Sequence, residues 1–131
     1  MSARIEAGAL STLAPGTVRV VALPSGAFGA PPVITVEALV LLDQAGVPRA
    51  YLNRCRHLPI PLSFSRRASG ALHVVSSDFL TPDGRALECR THGALYRLDD
   101  GMCFEGPCQG RALLPIELSI ELDALYLIAT F

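Results

Sequence analysis

Two short motifs of cysteine and histidine constrain this chain more than any other feature of its sequence. The first is Cys55-Arg56-His57, and the second is Cys89-Arg90-Thr91-His92, which a glycine follows. A cysteine and a histidine at such close spacing can both ligate a metal centre from a single tight loop. Together the motifs predict a site with two sulfur and two nitrogen ligands, which are Cys55, His57, Cys89 and His92.

The rest of the composition is typical of one globular domain. The chain has 131 residues, of which 50% are hydrophobic and 18% charged, with a net charge of −1. This length predicts a single domain over residues 1–131. The low net charge argues against general affinity for nucleic acids or anionic lipids, so we expect neither as a partner.

The sequence also bears on where the protein works. No apolar stretch reaches the ~20 residues that a membrane-spanning helix needs. Glu6 interrupts the N-terminal segment where a signal peptide would have an apolar run. We therefore expect a cytoplasmic protein, and in that compartment cysteines serve as metal ligands or free thiols more often than as disulfides.

Short apolar runs between turn residues predict an all-β fold. Glycine, proline and aspartate separate the runs, as in Pro82-Asp83-Gly84 and Asp99-Asp100-Gly101. The predicted strands are residues 18–23, 33–42, 48–53, 72–75, 85–89, 94–98, 113–117 and 124–130. Such regular spacing of short strands favours an antiparallel sandwich or a barrel.

Two kinds of metal centre suit two cysteines and two histidines. One is zinc, but structural zinc sites mostly pair cysteine with cysteine and histidine with histidine, whereas each motif here mixes the two. The other is the pair of irons in a Rieske centre. A zinc-stabilised interaction module without redox activity stays open as the alternative.

The chain resembles the Rieske [2Fe–2S] family, whose signature is Cys-x-His followed by Cys-x-x-His. The resemblance extends to His92-Gly93-Ala94-Leu95-Tyr96 and to Gly106-Pro107, and it covers about residue 33 to the C-terminus. It implies an antiparallel β-sandwich with a cluster-binding subdomain of two ligand loops, at about residues 53–110. It also implies a [2Fe–2S] cofactor, with one iron held by Cys55 and Cys89 and the other by His57 and His92.

The chain departs from the respiratory members of that family. Their extra disulfide is absent, because Ile60 and Thr91 stand at the matching positions. Ala94 replaces a serine that donates to the cluster, whereas Tyr96 matches a donating tyrosine. Fewer donors stabilise the reduced state less, so we expect a reduction potential at the low end of the Rieske range. An insert at about residues 64–85 predicts a β-hairpin or flap beside the ligand loops.

The resemblance implies an electron carrier more than a stand-alone enzyme. A soluble Rieske ferredoxin would take an electron from a flavin-dependent reductase and deliver it to a terminal oxygenase or another redox protein. The alternative is a small electron-transfer subunit of a larger oxidoreductase, of the nitrite-reductase type.

Other residues near the motifs have two interpretations each. His73 lies in an apolar run, where a core or edge position is more typical than a ligand role. Cys103 and Cys108 flank Gly106-Pro107, and we expect reduced, partly buried thiols there, with a disulfide as the alternative. Six arginines are either ordinary surface residues or a basic rim that attracts an acidic partner: Arg54, Arg56, Arg66, Arg67, Arg90 and Arg97.

Overall fold

A computed structural model describes residues 1–33, 36–56, 60–62, 73–76 and 78–131. These ranges contain ten strands and one three-residue 3₁₀ helix at Ala27–Gly29. The strands are β1 (Ser2–Ala9), β2 (Val18–Ala22), β3 (Glu37–Leu42), β4 (Pro48–Leu52), β5 (His73–Ser76), β6 (Ala86–Glu88), β7 (Leu95–Arg97), β8 (Cys103–Glu105), β9 (Glu117–Glu121) and β10 (Ala124–Thr130). None of the described residues form a helix with the length and hydropathy to cross a bilayer. The all-β prediction is confirmed.

The strands form three antiparallel sheets. The outer sheet has the order β1-β10-β9, the central sheet β4-β3-β2-β5, and the third sheet β6-β7-β8. Neighbouring strands in every sheet run antiparallel, as the sequence predicted. The third sheet is short, and the second ligand motif (Cys89 to His92) lies in the loop that connects its strands β6 and β7.

Strand β3 of the central sheet is buried on both faces. On β3, Leu39 and Leu41 belong to a core shared with the third sheet, whereas Ala38 and Val40 belong to a core shared with the outer sheet. Successive side chains on a strand point to opposite faces, so a strand between two cores must be apolar at every position. This explains the unbroken apolar run of β3, and each leucine buried there contributes about 1.5–3 kcal/mol.

Arg19 joins the central sheet to the outer sheet. Its side chain is buried, and Nη1 donates to the carbonyls of Ala7 and Ala9 at 2.7 and 3.0 Å. Nη2 donates to Oγ1 of Thr12 at 2.9 Å. The register of β1 shifts between Glu6 and Ala9, and a bulge of this kind releases carbonyls from the strand ladder. The guanidinium therefore satisfies buried carbonyls that the sheet leaves unpaired.

Part of the insert extends the central sheet. Strand β5 pairs with β2 and is the fourth strand of the central sheet. The chain then turns back, with the Thr81 N–H donating to the Ala86 carbonyl at 2.9 Å and Leu80 bridging Leu87. The remaining part of the predicted hairpin or flap, residues 63–72, falls outside the described residues.

The predicted strand at 113–117 is wrong. Residues 113–116 form no strand, although they pair briefly with β4 around Tyr51 and Pro115, where the Leu52 N–H donates to the Leu114 carbonyl at 2.9 Å and the Ile116 N–H donates to the Ala50 carbonyl at 2.8 Å. These two hydrogen bonds flank the pair of Tyr51 with Pro115, so the missing N–H of proline removes no bond to β4, and the paired stretch is simply too short to be a strand. The strand starts at the next polar residue, as β9 (Glu117–Glu121). Strands β1 and β8 were not predicted either. Of the predicted strand at 33–42, the described residues form β3 (Glu37–Leu42), and residues 34 and 35 lie outside the described residues.

Candidate metal centre

Both ligand motifs follow directly on strands. Cys55 comes three residues after β4, and Cys89 follows the last residue of β6. The Cys55 N–H donates to the Ile60 carbonyl at 2.7 Å, and the Cys89 N–H donates to the Ala94 carbonyl at 2.8 Å. Each hydrogen bond closes a loop. Both cysteines therefore sit at the rigid base of a loop, next to a strand end.

Leu62 holds the two loops together. Its N–H donates to Oδ1 of Asn53 in the first loop at 2.9 Å. Its carbonyl accepts the Arg90 N–H of the second loop at 2.8 Å. Because the Leu62 side chain is also fully buried, the loops are fixed to each other by hydrogen bonds and by packing.

The Cys55 and Cys89 thiols meet in the interior. Both residues are buried, and their side chains lie within hydrogen-bonding contact. Burial raises the pKa of Cys89, and the contact with Cys55 raises it further, whereas the backbone N–H groups of Thr91 and His92 act in the opposite direction. These N–H groups already point at the sulfur, as a thiolate requires.

This donor set fits an iron–sulfur centre. A neutral buried thiol keeps its proton, but a bound metal cation deprotonates a coordinating thiol outright. Two adjacent thiols, with N–H donors aimed at one of them, can then supply two thiolate ligands without a buried unpaired charge. The geometry of the cysteine half of the site therefore suits metal binding.

Of the two candidate histidine ligands, His92 lies among the described residues. His92 is exposed, at the tip of the second loop and three residues after Cys89. His57 lies outside the described residues. Within the described ranges, no three cysteine, histidine or acidic side chains gather into a group that could hold a metal ion. The backbone of His73 pairs with Val21 at the edge of the central sheet.

The Tyr96 hydroxyl connects the first ligand loop to Cys108. Tyr96 is fully buried on β7, and its hydroxyl lies 3.2 Å from Sγ of Cys55 and 3.0 Å from Sγ of Cys108. The Arg56 N–H donates to the same hydroxyl oxygen at 2.9 Å. Burial raises the pKa of Tyr96 far above its ordinary value. The phenol keeps its proton and can donate it to a ligand sulfur, as the resemblance implied.

Cys103 and Cys108 are free thiols and are fully buried, not partly. Their sulfur atoms are 3.2 Å apart, and Sγ of Cys103 lies 3.3 Å from the Glu105 carbonyl. Burial, with the neighbouring Cys108 thiol, raises the pKa of Cys103 to about 11. Sequence reasoning did not find the contact of Cys108 with Tyr96, although the position of Cys108 beside Gly106-Pro107 was a signal for it.

The arginines divide between two surfaces. Arg56 and Arg90 are exposed on the ligand loops, while Arg66 and Arg67 lie outside the described residues. Arg97 instead pairs with Asp100 at 2.8 Å. It lines a cleft of about 430 Å³ with Asp43, Arg49, Arg85 and Asp99, and none of the described residues of the two ligand motifs contributes to that cleft.

The model of the Rieske [2Fe–2S] domain family matches residues 17–122. The chain belongs to the Rieske [2Fe–2S] family. The cofactor of a Rieske domain is a [2Fe–2S] cluster, and its function is one-electron transfer. No curated protein sequence matches the chain.

Solved structures share the fold of this Rieske chain. One is a chain of the carbazole 1,9a-dioxygenase complex between reduced oxygenase and oxidized ferredoxin, with a TM-score of 0.64, 23% identity, and coverage of 95% of this chain and 91% of that chain. A second is the terminal oxygenase of carbazole 1,9a-dioxygenase from Nocardioides aromaticivorans IC177, with a TM-score of 0.63, 18% identity, and coverage of 98% and 30%. A third is the same type of oxygenase from Novosphingobium sp. KA1, with a TM-score of 0.60, 19% identity, and coverage of 95% and 29%. The chain thus spans under a third of the oxygenase chains.

Proposed function

We propose that this Rieske chain is a ferredoxin that carries single electrons from a flavin-dependent reductase to a terminal oxygenase. We further propose that residues 1–131 act as one domain in the cytoplasm. The observation that carries the proposal is the buried contact between the Cys55 and Cys89 thiols, at the base of two closed loops. The likeness to a complex of oxygenase and ferredoxin supports the choice of partner.

We assign the four ligands as the sequence motifs suggest. Cys55 and Cys89 would hold one iron, and His57 and His92 would hold the other. The adjacency of the two thiols supports the first pair. The exposed position of His92 supports the second pair, because an electron must leave through a group that a partner can approach. When bound, a [2Fe–2S] cluster supplies a site that accepts and releases one electron.

The ligand types set the charge of the site. Two ferric ions and two sulfides sum to about +2, so two thiolates bring the oxidised site to neutrality, where four thiolates would leave it anionic. Histidine ligation therefore makes the entry of an electron easier. The two cysteines fix this balance, since both thiols lose their protons when they ligate.

The surroundings of the sulfurs adjust the potential. Tyr96 donates towards Sγ of Cys55, and the N–H groups of Thr91 and His92 donate to Sγ of Cys89. Each donated hydrogen bond withdraws negative charge from a sulfur and so favours the reduced state. Ala94 has no hydroxyl, so the site lacks the hydrogen bond that a serine at this position would donate. This supports a reduction potential at the low end of the Rieske range.

Analysis of the purified protein tests the proposal. We expect two irons and two sulfides per chain, with a paramagnetic signal after reduction by dithionite. The variants Cys55→Ala, Cys89→Ala, His57→Ala and His92→Ala should lose iron, whereas Cys103→Ala, a buried cysteine outside the ligand set, should keep it. Zinc in place of iron, or full iron content in Cys89→Ala, would contradict the assignment.

The carrier role needs its own measurement. Purified protein should mediate electron flow from a flavin-dependent reductase to a Rieske-type terminal oxygenase, and the flow should stop when the protein is omitted. If electrons pass only inside a stable complex with a larger oxidoreductase, the chain is a subunit of that enzyme and the carrier proposal fails.

A further inference from the structure

Four buried polar groups form a continuous chain behind the ligand loops. Sγ of Cys55 lies 3.2 Å from Oη of Tyr96, which lies 3.0 Å from Sγ of Cys108. Sγ of Cys108 lies 3.2 Å from Sγ of Cys103, which lies 3.3 Å from the carbonyl of Glu105. The side chains of this thiol–phenol chain (Cys55, Tyr96, Cys108 and Cys103) are at most 4% exposed.

The protons of the chain can be counted while Cys55 is a neutral thiol. A carbonyl only accepts, so Cys103 must donate its proton to Glu105. Each remaining group then donates to the next one: Cys108 to Cys103, and Tyr96 to Cys108. Cys55 completes the series by donating to the oxygen of Tyr96. All four contacts are hydrogen bonds that run in one direction, away from Cys55.

The count changes when Cys55 ligates a metal. A ligating cysteine has no proton, so Tyr96 must now donate to Sγ of Cys55. The hydroxyl has one proton only, and the Arg56 N–H occupies one of its lone pairs. The second lone pair faces Sγ of Cys108 at 3.0 Å. The Cys108 thiol must turn its proton from Cys103 to Tyr96, and the Cys103 thiol must turn its own proton from the Glu105 carbonyl to Cys108. Otherwise two lone pairs would face each other in the interior at one of the two contacts of Cys108.

We propose that Cys108 is a positioning residue of the Rieske centre, whose thiol donates to Tyr96 and strengthens the hydrogen bond from Tyr96 to Cys55. The inference rests on the proposed ligand role of Cys55. A hydroxyl that accepts a hydrogen bond is a better donor, because successive hydrogen bonds polarise one another. Cys108 therefore raises the reduction potential although it does not contact the ligand sulfur.

Packing alone would give Cys108 a different signature. A residue that only fills space responds to volume, so serine and alanine should perturb the centre in the same direction. A donor responds to chemistry. Cys108→Ser keeps a donor and Cys108→Ala removes it, so the two variants should separate in potential.

Redox titration of the cluster-loaded protein tests the inference. We expect Cys108→Ala to lower the equilibrium constant of reduction by about threefold to tenfold, where tenfold corresponds to 59 mV for one electron. Cys108→Ser should match or exceed the wild-type potential. Cys103→Ala is the matched control, because it removes a buried thiol but leaves the contact of Cys108 with Tyr96, and it should shift the potential much less than Cys108→Ala does.

The Tyr96→Phe background decides whether the effect passes through the phenol. Without the hydroxyl, Cys108→Ala and Cys108→Ser should have the same potential as the Tyr96→Phe parent. The inference is overturned if Cys108→Ala keeps the wild-type potential, if Cys103→Ala shifts it equally, or if the shift persists in the Tyr96→Phe background. Should Cys108→Ala fail to load iron, Cys108→Thr against Cys108→Val, which has the same shape but no donor, measures the same dependence on the donor.

The failure of the ligand assignment would look different. In that case Cys55→Ala or Cys89→Ala keeps its full content of iron and sulfide, whatever the potentials of the Cys108 variants are. A loaded wild-type protein with variants of identical potential leaves the assignment intact and removes only the role of Cys108.

Discussion

Gly106 lies directly against Ala94. A Cβ on Gly106 would stand 2.8 Å from Cα of Ala94 and 3.3 Å from its backbone nitrogen, and Gly106 has a φ of +102°. The Ala94 carbonyl accepts the Cys89 N–H and closes the second ligand loop. The Gly106-Pro107 loop therefore supports the backbone that holds a candidate ligand, and this close approach leaves no room for a side chain.

Gly106→Ala should destabilise the protein more than Gly110→Ala. Gly110 has a similar φ of +92°, but no atom lies within 4 Å of a Cβ there. Both variants strain the backbone at a cost of about 1–3 kcal/mol. Gly106→Ala adds a clash that costs about 1–3 kcal/mol more. Urea unfolding and iron content of the two variants check this, and equal losses would show that the contact with Ala94 is unimportant.

The ligand motifs and the strands around them could be predicted because each depends on local sequence. Cys55 and Cys89 follow apolar runs that become β4 and β6, and Ala124–Thr130 has the alternation of a strand. The burial of both faces of β3 also left a signal, the unbroken apolar run of this strand. Local patterns of this kind allow prediction because the residues that form the pattern lie next to each other in one strand.

Other features depend on contacts between distant residues, which the sequence does not display. Tyr96 meets Cys55 over 41 positions, and Cys108 meets Tyr96 only after the Gly106-Pro107 loop has packed. Strand β1 is an edge strand in which only one of eight residues is buried, so it lacks an apolar pattern. The error at residues 113–117 arose because the buried Leu113 and Ile116 give an apolar run, although only two backbone hydrogen bonds join this segment to β4.

Asp43 should make stability depend on pH in the acid range. Its buried carboxylate accepts the Ala45 and Val47 N–H groups at 2.9 Å each and Nε of Arg49 at 3.0 Å. The hydrogen bond from Val47 is the largest cause that lowers the pKa of Asp43. The folded pKa is below the unfolded value of about 3.9, so the stabilisation is complete above that pH and is lost as pH falls through the folded pKa.

Asp43→Asn should therefore unfold at lower urea than the wild type from about pH 5 to pH 8, by a constant difference of about 1–3 kcal/mol. The difference should shrink below about pH 4. Comparison at equal pH cancels the effect of acid on a cluster, because both proteins carry the same ligands. Asp99→Asn, on the exposed side of the same cleft, controls for the change of net charge. A difference that grows as the pH falls would refute this account.

Arg19→Met should reduce stability without altering the reduction potential. The variant leaves the buried carbonyls of Ala7 and Ala9 without their donor, at a cost of about 1–3 kcal/mol. Arg19 alternates along β2 with Val18 and Val20, which face the core of the ligand loops, so its own side chain points away from the site. Arg4→Met is the control, since Arg4 forms an exposed ion pair with Glu121 and should contribute under about 1 kcal/mol. Thermal unfolding and redox titration measure both effects.

Arg56→Glu should change electron delivery according to the charge of the acceptor. Arg56 is exposed, next to Cys55, and its backbone is fixed by the hydrogen bond to Tyr96. A basic rim attracts anions, so the variant should reduce ferricyanide more slowly, by up to about tenfold at low salt, and a cationic cobalt(III) ammine more quickly. A change in the reduction potential of the protein would raise both reduction rates or lower both. Opposite changes in the two rates therefore show that the charge at the surface is responsible. Both effects should fade above about 0.1 M salt, where charges are screened beyond about 10 Å. Arg4→Glu, on the outer sheet, should leave both rates unchanged; if it matches Arg56→Glu, only net charge matters and no basic rim exists.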